Sequence, residues 1–233
     1  MNGPTPRERA RQETLATIKR LALEQLAAAG AGELSLRAIA RELNLSSSAI
    51  YRYYASRDEL ITALIIDAYA DLADCLEAAI PDSADTTVDG TTMGNRPAVR
   101  WRAVATAFRD WSRAQPHRYA LIYGTPIPGY RAPVDTVAPA GRVMHALVAP
   151  LAAGSAPDGH VITGSILRGQ LEVSAGALGL DVDPSTMLQV VRAAAELIGL
   201  ISLELGGHFV GGFEPADELY AAAVDDLAVR CGL

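Results

Sequence analysis

The sequence predicts an all-α protein, and three observations support that fold class. Apolar residues recur at intervals of three and four over most of the 233 residues, which is the period of a helix with one buried face. Residues that cap or end helices stand at the edges of these stretches. No stretch alternates apolar and polar residues as a half-buried strand does. Half of the residues are hydrophobic, so the chain can bury a core.

Three helices are predicted near the N-terminus. Gly30 and Gly32 end the first, because glycine adopts the left-handed backbone that stops a helix. Ser35 and Ser46 precede the second and third, where their hydroxyl groups can cap free backbone N–H groups. Asn44 lies between these two helices and tolerates a left-handed turn. The predicted spans are Glu8–Ala29, Leu36–Leu43 and Ser47–Tyr54.

A long fourth helix is predicted from Ser56, its capping residue, to about Ile80, with Glu59 placed to complete a capping box. Two segments rich in proline and glycine, Pro81–Pro97 and Gly124–Pro133, interrupt the helical pattern and are predicted to be loops. The remaining predicted helices are Ala98–Gln115, Val137–Ala153, His160–Ala177, Ser185–Gly206 and Ala216–Val229.

We expect two domains, residues 1–71 and 72–233, joined by the fourth helix, and the charge of the chain is unevenly divided. The whole chain has a formal net charge of −7, which by itself disfavours a nucleic-acid partner. Residues 1–57 nevertheless carry nine Lys or Arg against five Asp or Glu, and the remainder carries eleven against twenty-two. A basic segment in an acidic chain is a hint of contact with a polyanion.

The segment Leu34–Tyr54 has the plan of a helix-turn-helix, in which a tight turn joins two short helices within about 20 residues. Ile50 and Tyr54 are four residues apart and are predicted to face the core. The opposite face carries small hydroxyl groups, a phenol and a guanidinium, which are groups that contact DNA. These four residues are Ser47, Ser48, Tyr51 and Arg52.

Each candidate DNA contact has a predicted role. Arg52 is the candidate for a bidentate contact with guanine. Tyr51 and Tyr53 can reach phosphate oxygens, and Arg37 and Arg57 would hold the flanking DNA backbone. The alternative interpretation is an ordinary helical corner whose polar face only meets water.

This segment closely resembles the N-terminal domain of the TetR family of bacterial transcription regulators. The resemblance covers about Arg9–Asp71 and includes aromatic residues after the third helix, followed by the Ser-Arg-Asp-Glu-Leu sequence of Ser56–Leu60. Asn44 stands where the family usually has Gly, and Ser48 where Gly or Pro is frequent. The resemblance implies a dimeric repressor that leaves a palindromic operator when a small molecule binds its C-terminal domain. It also implies DNA contacts at Arg37, Ser47, Ser48, Tyr51, Tyr53 and Arg57.

The C-terminal half is similar to a domain of one TetR branch, which is named for a Trp, a His and a Gly in its penultimate helix. The similarity lies in Trp111–Tyr130 and Leu203–Gly206. Gly199 is retained, but Ala194 and Ile198 stand in place of the Trp and the His. The branch supplies no ligand identity that can be transferred to this chain.

Aromatic residues cluster in the first part of the C-terminal half, which is expected either of an apolar ligand cavity or of plain core packing. Arg168 lies on an otherwise apolar predicted helix and would face the ligand if that ligand is anionic. The predicted pocket residues are Trp101, Phe108, Trp111, Tyr123, Met144 and Arg168.

The penultimate predicted helix is apolar around most of its girth, so we expect it to be buried on two sides. With the last helix it would form a four-helix bundle with a second copy, in a symmetric homodimer. The predicted interface residues are Leu197, Leu200, Ile201 and Leu205.

Other function classes receive little support from the sequence. The two cysteines and four histidines lack metal-ligand spacing, and no cofactor is predicted. No catalytic triad, phosphate loop or carboxylate pair is apparent, so a helical enzyme is a remote alternative. A DNA-binding dimer without a small-molecule effector is the nearer alternative.

The sequence predicts neither a membrane span nor a signal peptide. No apolar run reaches about 18 residues, and Met1–Glu13 lacks the apolar core of a signal peptide. We therefore expect a cytoplasmic protein.

Overall fold

The structure is a computed structural model that describes residues 5–30, 33–80, 87–88, 91–92, 97–154 and 164–233. The all-α fold class is confirmed. A 3-10 turn, Val134–Thr136, precedes the seventh helix. The helices of the described residues are α1 (Pro6–Ala29), α2 (Leu36–Glu42), α3 (Ser47–Ile50), α4 (Arg57–Ala79), α5 (Pro97–Ala114), α6 (Pro116–Tyr123), α7 (Val137–Ala152), α8 (Ser165–Ala177), α9 (Pro184–Leu205) and α10 (Asp217–Arg230).

The described residues divide into two compact units. The first contains the residues before Tyr69 together with His117–Thr136. The second contains Tyr69–Pro116 and Val137–Leu233. Helix α4 contributes residues to both units, and nearly all of α6 belongs to the first. The predicted division into domains of residues 1–71 and 72–233 stays a prediction.

Helix α1 is held by a complete capping box and by one apolar face. The Thr5 hydroxyl accepts a hydrogen bond from the Glu8 backbone N–H, and the Glu8 carboxylate accepts one from the Thr5 N–H at 2.7 Å. The Lys19 ammonium group is 2.6 Å from the Asp67 carboxylate of α4. Gly30 ends the helix at a φ of 77°, a backbone conformation that favours glycine. The buried residues of α1 are Ile18, Leu21, Ala22 and Leu26.

The turn between α2 and α3 is built around Asn44, which has a φ of 52°. The Leu45 N–H donates to the Ala40 carbonyl at 2.8 Å, and the Asn44 N–H donates to the Arg41 carbonyl at 3.1 Å. These two bonds form a Schellman motif, which satisfies the last carbonyl groups of α2. Asparagine tolerates this left-handed conformation better than most residues, and the predicted turn is confirmed.

The predicted serine caps are present at the starts of α2, α3 and α4. Ser35, Ser46 and Ser56 each accept a hydrogen bond from the backbone N–H three residues later in the chain. The Glu59 carboxylate accepts from the Ala55 N–H rather than from the N–H of Ser56, so the predicted capping box at α4 is displaced by one residue.

In the second unit, α5 packs against α7, α9 and α10. Trp101 of α5 is fully buried, and its indole N–H donates to the Val224 carbonyl of α10 at 2.8 Å. Arg109 of α5 donates two hydrogen bonds to the Glu204 carboxylate of α9, at 2.7 and 2.8 Å. Its third donor group reaches Asp217 of α10 at 2.9 Å. The three helices are therefore joined by polar contacts as well as by apolar packing.

The third helix is shorter than predicted. It ends at Ile50 rather than Tyr54, and Tyr51–Tyr53 form a turn. The reason is a tightening of the hydrogen bonds, because the Arg52 and Tyr53 N–H groups donate to carbonyls three residues earlier instead of four.

Two other predicted boundaries need correction. Helix α6 lies where no helix is predicted, since the eight residues of Pro116–Tyr123 are too few to show a clear period. The predicted loop Pro81–Pro97 contains a two-residue antiparallel pair, β1 (Thr87–Val88) and β2 (Thr91–Thr92), and its last residue begins α5. Gly32, the rest of that loop and the predicted helix start at His160 lie outside the described residues.

Helix α9 is long and apolar enough to cross a membrane, by length and composition alone, and it is the one such helix among the described residues. The charged residues Arg192, Glu196 and Glu204 interrupt its apolar sequence. It packs against α5, α7, α8 and α10. A central helix that is buried by its neighbours passes the same test of length and composition, so the test is weak evidence for a membrane span.

Candidate nucleic-acid interface and ligand cavity

The segment α2–α3 has an inward face and an outward face, as predicted. Ile50 is fully buried, and Tyr54 is nearly so. Burial, with the carboxylates of Asp67 and Glu59 nearby, raises the pKa of Tyr54 to about 12. These inward contacts orient the side chains on the other face.

Five of the seven predicted DNA contacts are exposed in this segment. Among the residues that the structure describes, no ion pair involves Arg37 or Arg52. The Ser48 hydroxyl lies 3.1 Å from that of Ser46, so the two hydroxyl groups share a hydrogen bond. The five exposed residues are Arg37, Ser47, Ser48, Tyr51 and Arg52.

Tyr53 and Arg57 are placed differently, because both are half-buried. The Arg11 guanidinium of α1 lies over the Tyr53 ring, 5.2 Å from its centroid. The Arg57 guanidinium is 3.5 Å from the Asp58 carboxylate. Arg11 is therefore a residue of this surface that is absent from the predicted contacts. Its contact with Tyr53 joins residues far apart in the chain, so no local pattern indicates it.

A largely apolar cavity of about 460 Å³ lies in the second unit, between α7, α8 and α9. A volume of this size suits a small organic molecule. Ser174 supplies a polar side chain, but its hydroxyl donates to the Gln170 carbonyl within α8 at 2.8 Å. The lining residues are Met144, Val148, Ser174, Ala177, Leu178, Met187, Val190, Val191, Ala194, Ala195 and Ile198.

Of the predicted pocket residues, Met144 lines this cavity. Trp101 and Phe108 are fully buried and do not line it. They are core residues because α5 turns its apolar face toward α7, α9 and α10. The sequence left open whether the aromatic residues line a cavity or pack in the core. Trp101 and Phe108 pack in the core.

The other predicted pocket residues are also not part of this cavity. The Trp111 indole N–H donates to the Asp71 carboxylate at 2.8 Å. Tyr123 belongs to the first unit, where its ring lies 5.3 Å from that of Tyr119. Arg168 is exposed on α8. The predicted group of six is therefore not brought together. The helical spacing of Met187, Val190, Val191 and Ala194 is the signal that would have indicated the cavity wall.

Two of the predicted dimer contacts lie in the core of the protomer. Leu197 and Ile201 are fully buried within their own protomer, so they belong to its core and have no surface left for a partner. Leu200 and Leu205 are half-buried, and their role in an interface stays a prediction. Within the described ranges, no group of three or more His, Cys, Asp or Glu is arranged to hold a metal ion.

The chain matches two family models. Residues 18–64 match the model described as bacterial regulatory proteins, tetR family. Residues 101–227 match the model described as tetracyclin repressor-like, C-terminal domain, and this match alone covers more than half of the chain. The chain belongs to the TetR family. The resemblance stated from the sequence is thus confirmed, and assignment to the branch named for Trp, His and Gly stays a prediction.

Individual relatives agree with this assignment. The HTH-type transcriptional regulators Rv1816 of Mycobacterium tuberculosis and Mb1846 of Mycobacterium bovis are each 39% identical over 209 residues, which cover 87% of this chain and 85% of theirs. The crystal structure of the regulatory protein SCO4313 is 40% identical, with a TM-score of 0.76, covering 96% of this chain and 98% of that one. The TetR-family protein described here is therefore a DNA-binding transcriptional regulator and not an enzyme.

Proposed function

We propose that this TetR-family regulator is a homodimeric repressor that leaves a palindromic operator when a small molecule binds. The observation that carries the proposal is the outward face of α2–α3, where hydroxyl and guanidinium groups are exposed above the buried Ile50. Residues with free donors at the start of a recognition helix are typical of proteins that read the major groove. Such a protein acts where the chromosome lies, in the cytoplasm.

The contacts divide into base reading and backbone binding. Arg52 reads guanine through its two parallel donors, and Ser47 and Ser48 allow the helix start to approach the base edges. Tyr51 and Arg37 bind phosphate oxygens on either side. Tyr53 and Arg57 are half-buried. Each can still contact a phosphate through the part of its side chain that remains exposed.

Symmetric dimerisation would cover apolar surface that a single protomer leaves exposed. On α9, Leu203 is 43% exposed, and on α10, Val229 is 67% exposed. A Cβ added to Gly199 of α9 would meet no atom within 4 Å. The residues Ala221 and Ala222 of α10 are exposed and small, which permits close helix packing. The apolar character of α9 supports burial on this second side.

The effector is a neutral apolar molecule in the cavity between α7, α8 and α9. Its lining among the described residues includes no charged side chain, and a carboxylate or ammonium group placed against these walls would lose hydration without compensation. Arg168 is exposed and does not line this cavity, so it offers no partner there for an anionic effector. A dimer with no effector remains the second candidate, and a cavity of about 460 Å³ argues against it.

Helix α4 is the proposed route from ligand to operator, because it contributes residues to both units. It begins at Arg57, beside the recognition segment, and ends at Ala79. A ligand that binds one arrangement of the second unit better than another shifts the population of that arrangement. The repressor then releases DNA because its two recognition helices no longer match half-sites about 34–36 Å apart.

Selection of genomic fragments by the purified full chain tests the DNA-binding proposal. We expect enrichment of fragments that share a palindrome, with half-sites about one helical turn apart. Enrichment of sites without two-fold symmetry, or no enrichment over input DNA, would contradict a symmetric dimer on an operator.

A pair of matched probes tests the cavity. We expect 1-decanol to bind and to lower affinity for the selected fragment, while decanoate does neither, because its carboxylate finds no partner in the cavity. Ala177→Phe fills part of the cavity and should weaken decanol binding about tenfold, a loss of ~1.4 kcal/mol. Val173→Phe is the control, since Val173 is exposed on the same helix and does not line the cavity. Equal binding of both probes, or equal effects of both variants, would contradict the assignment.

A further inference from the structure

The arginines at the start of α1 are exposed and lack acidic partners. Arg7, Arg9 and Arg11 are all exposed, and none of them forms an ion pair within the part of the chain that the structure describes. In the second unit, by contrast, Arg102 and Arg142 are each paired with carboxylates. An unpaired cluster of arginines on an acidic protein is a candidate surface for an external anion.

A carboxylate that lies between Arg7 and Arg11 in the chain is already engaged. Glu8 accepts hydrogen bonds from the Thr5 backbone N–H at 2.7 Å and from the Thr5 hydroxyl at 2.8 Å. These bonds hold the pKa of Glu8 below its ordinary value. The carboxylate is directed toward the cap, and among the described residues it forms no ion pair with Arg7 or Arg11.

Arg11 lies against the recognition segment. Its guanidinium is 5.2 Å from the centroid of the Tyr53 ring, and Tyr53 follows Tyr51 and Arg52 directly in the chain. This cation–π contact engages the face of the ring and can leave N–H donors of the guanidinium free for another partner. It also restricts the side chain, so less entropy is lost when the donors bind an anion.

The geometry of α1 places Arg7 with Arg11 and separates Arg9 from both. Residues four apart lie on the same face of a helix, whereas residues two apart point about 200° away from each other. Arg7 is therefore one turn before Arg11 on the face that meets Tyr53, and Arg9 points away from it.

We propose that Arg7 and Arg11 bind DNA phosphates beside the bases read by α3. This extends the backbone contact of each protomer onto α1. Arginine forms paired hydrogen bonds with a phosphate group, and such contacts increase affinity without reading sequence. The proposal rests on the operator binding proposed above and adds two phosphate contacts per protomer.

The salt dependence of binding to a selected palindromic fragment tests the proposal. For a dimer, Arg11→Ala removes two phosphate contacts, so the slope of log K against log salt should become less steep by about 1.8. Arg7→Ala should act in the same way, and Arg11→Lys should retain most of the slope. Arg9→Ala is the matched control, with the same charge change on the same helix, and should leave the slope near that of the unaltered protein.

Three outcomes would overturn the proposal while operator binding itself stands. The first is an Arg11→Ala slope equal to that of the unaltered protein with weaker binding at every salt concentration, which would make Arg11 only a support for Tyr53. The second is an Arg9→Ala effect as large as that of Arg11→Ala, which would indicate net charge alone. The third is a changed base preference in a repeated selection. Failure of the unaltered protein to select any DNA would contradict the proposed function instead. Circular dichroism of each variant checks that the fold is retained.

Discussion

At the scale of single residues, the side chains of Leu34–Tyr54, the recognition segment, differ in burial and in the partners that they already contact. Ile50 and Tyr54 are buried, and Arg52 is exposed without an acidic partner among the described residues. Arg57 is half-buried, 3.5 Å from Asp58. A free guanidinium can adapt to a base edge, whereas Arg57 stands at the start of α4, where a helix N-terminus attracts phosphate.

Arg52→Ala and Arg57→Ala should therefore have different effects. Loss of Arg52 removes a bidentate base contact and should cost about 1–3 kcal/mol, with relaxed preference at one position of each half-site. Loss of Arg57 should weaken binding to all sequences and lower the salt slope. Binding to operator and to single-base variants over a range of salt concentrations measures both effects.

Arg20→Ala supplies the control, because Arg20 pairs with Glu24 on α1 at 2.6 Å and has no predicted DNA contact. If neither Arg52→Ala nor Arg57→Ala affected binding, the recognition face would be placed incorrectly.

At the scale of elements, the second unit depends on one arginine that joins three helices. Arg109 of α5 binds Glu204 of α9 and Asp217 of α10, and its guanidinium lies 4.9 Å from the centroid of the Tyr220 ring. The side chains of Arg109 and Glu204 are only 8% and 17% exposed. The pair is therefore mostly removed from water, and each charge depends on the other.

Arg109→Met should lower the free energy of unfolding by about 3 kcal/mol, because it leaves a largely buried carboxylate without its main partner. Adding Glu204→Leu should recover part of this loss, since the unpaired charge is then also removed. Chemical denaturation of the single and double variants measures the difference.

The matched control is Arg142→Met, which breaks an arginine contact with Asp74 and Glu77 that is exposed at the surface. Its cost should be below about 1 kcal/mol. A double variant less stable than Arg109→Met would show that Glu204 contributes through other contacts.

At the scale of the whole molecule, the proposed dimer brings α9 and α10 against a second copy. Their inward residues form the protomer core, and their exposed residues include small and apolar ones, such as Ala221, Ala222 and Leu203, among charged ones. Gly199 lies in the middle of α9 with open space around the position of a Cβ. A large side chain there is compatible with the protomer and incompatible with a closely packed partner helix.

Gly199→Arg should therefore convert the dimer to a protomer of 24.5 kDa, because it places an unpaired charge in an apolar interface. Sedimentation equilibrium measures the mass, and operator affinity should fall with it. Gly141→Arg on α7 is the control, since its Cβ position is also open and lies outside the proposed interface. A dimer that persists in Gly199→Arg at the concentration of the unaltered protein would place the interface elsewhere.

Local sequence signals predicted α1–α4 well but missed α6, because capping and helical period in α1–α4 depend on contacts between near neighbours. The serine caps, the left-handed Asn44 and the inward pair Ile50 and Tyr54 all follow from intervals of three or four residues. The length of α3 did not follow, since the change to tighter hydrogen bonds after Ile50 has no distinct sequence pattern.

The sequence by itself determined the fold class, the helix-turn-helix and its outward face, because helical period and capping are properties of short segments. Only the tertiary structure decided which apolar residues line a cavity and which are core. Leu197 and Ile201 are buried by α9 packing within the protomer, and Trp101 by α5 packing against α10. Apolar residues that bind a ligand, a partner or their own core have the same chemistry, so only their position in space distinguishes these roles. The contact between Arg11 and Tyr53 was likewise not predictable from the sequence, because it forms only when α1 packs beside residues 36–54.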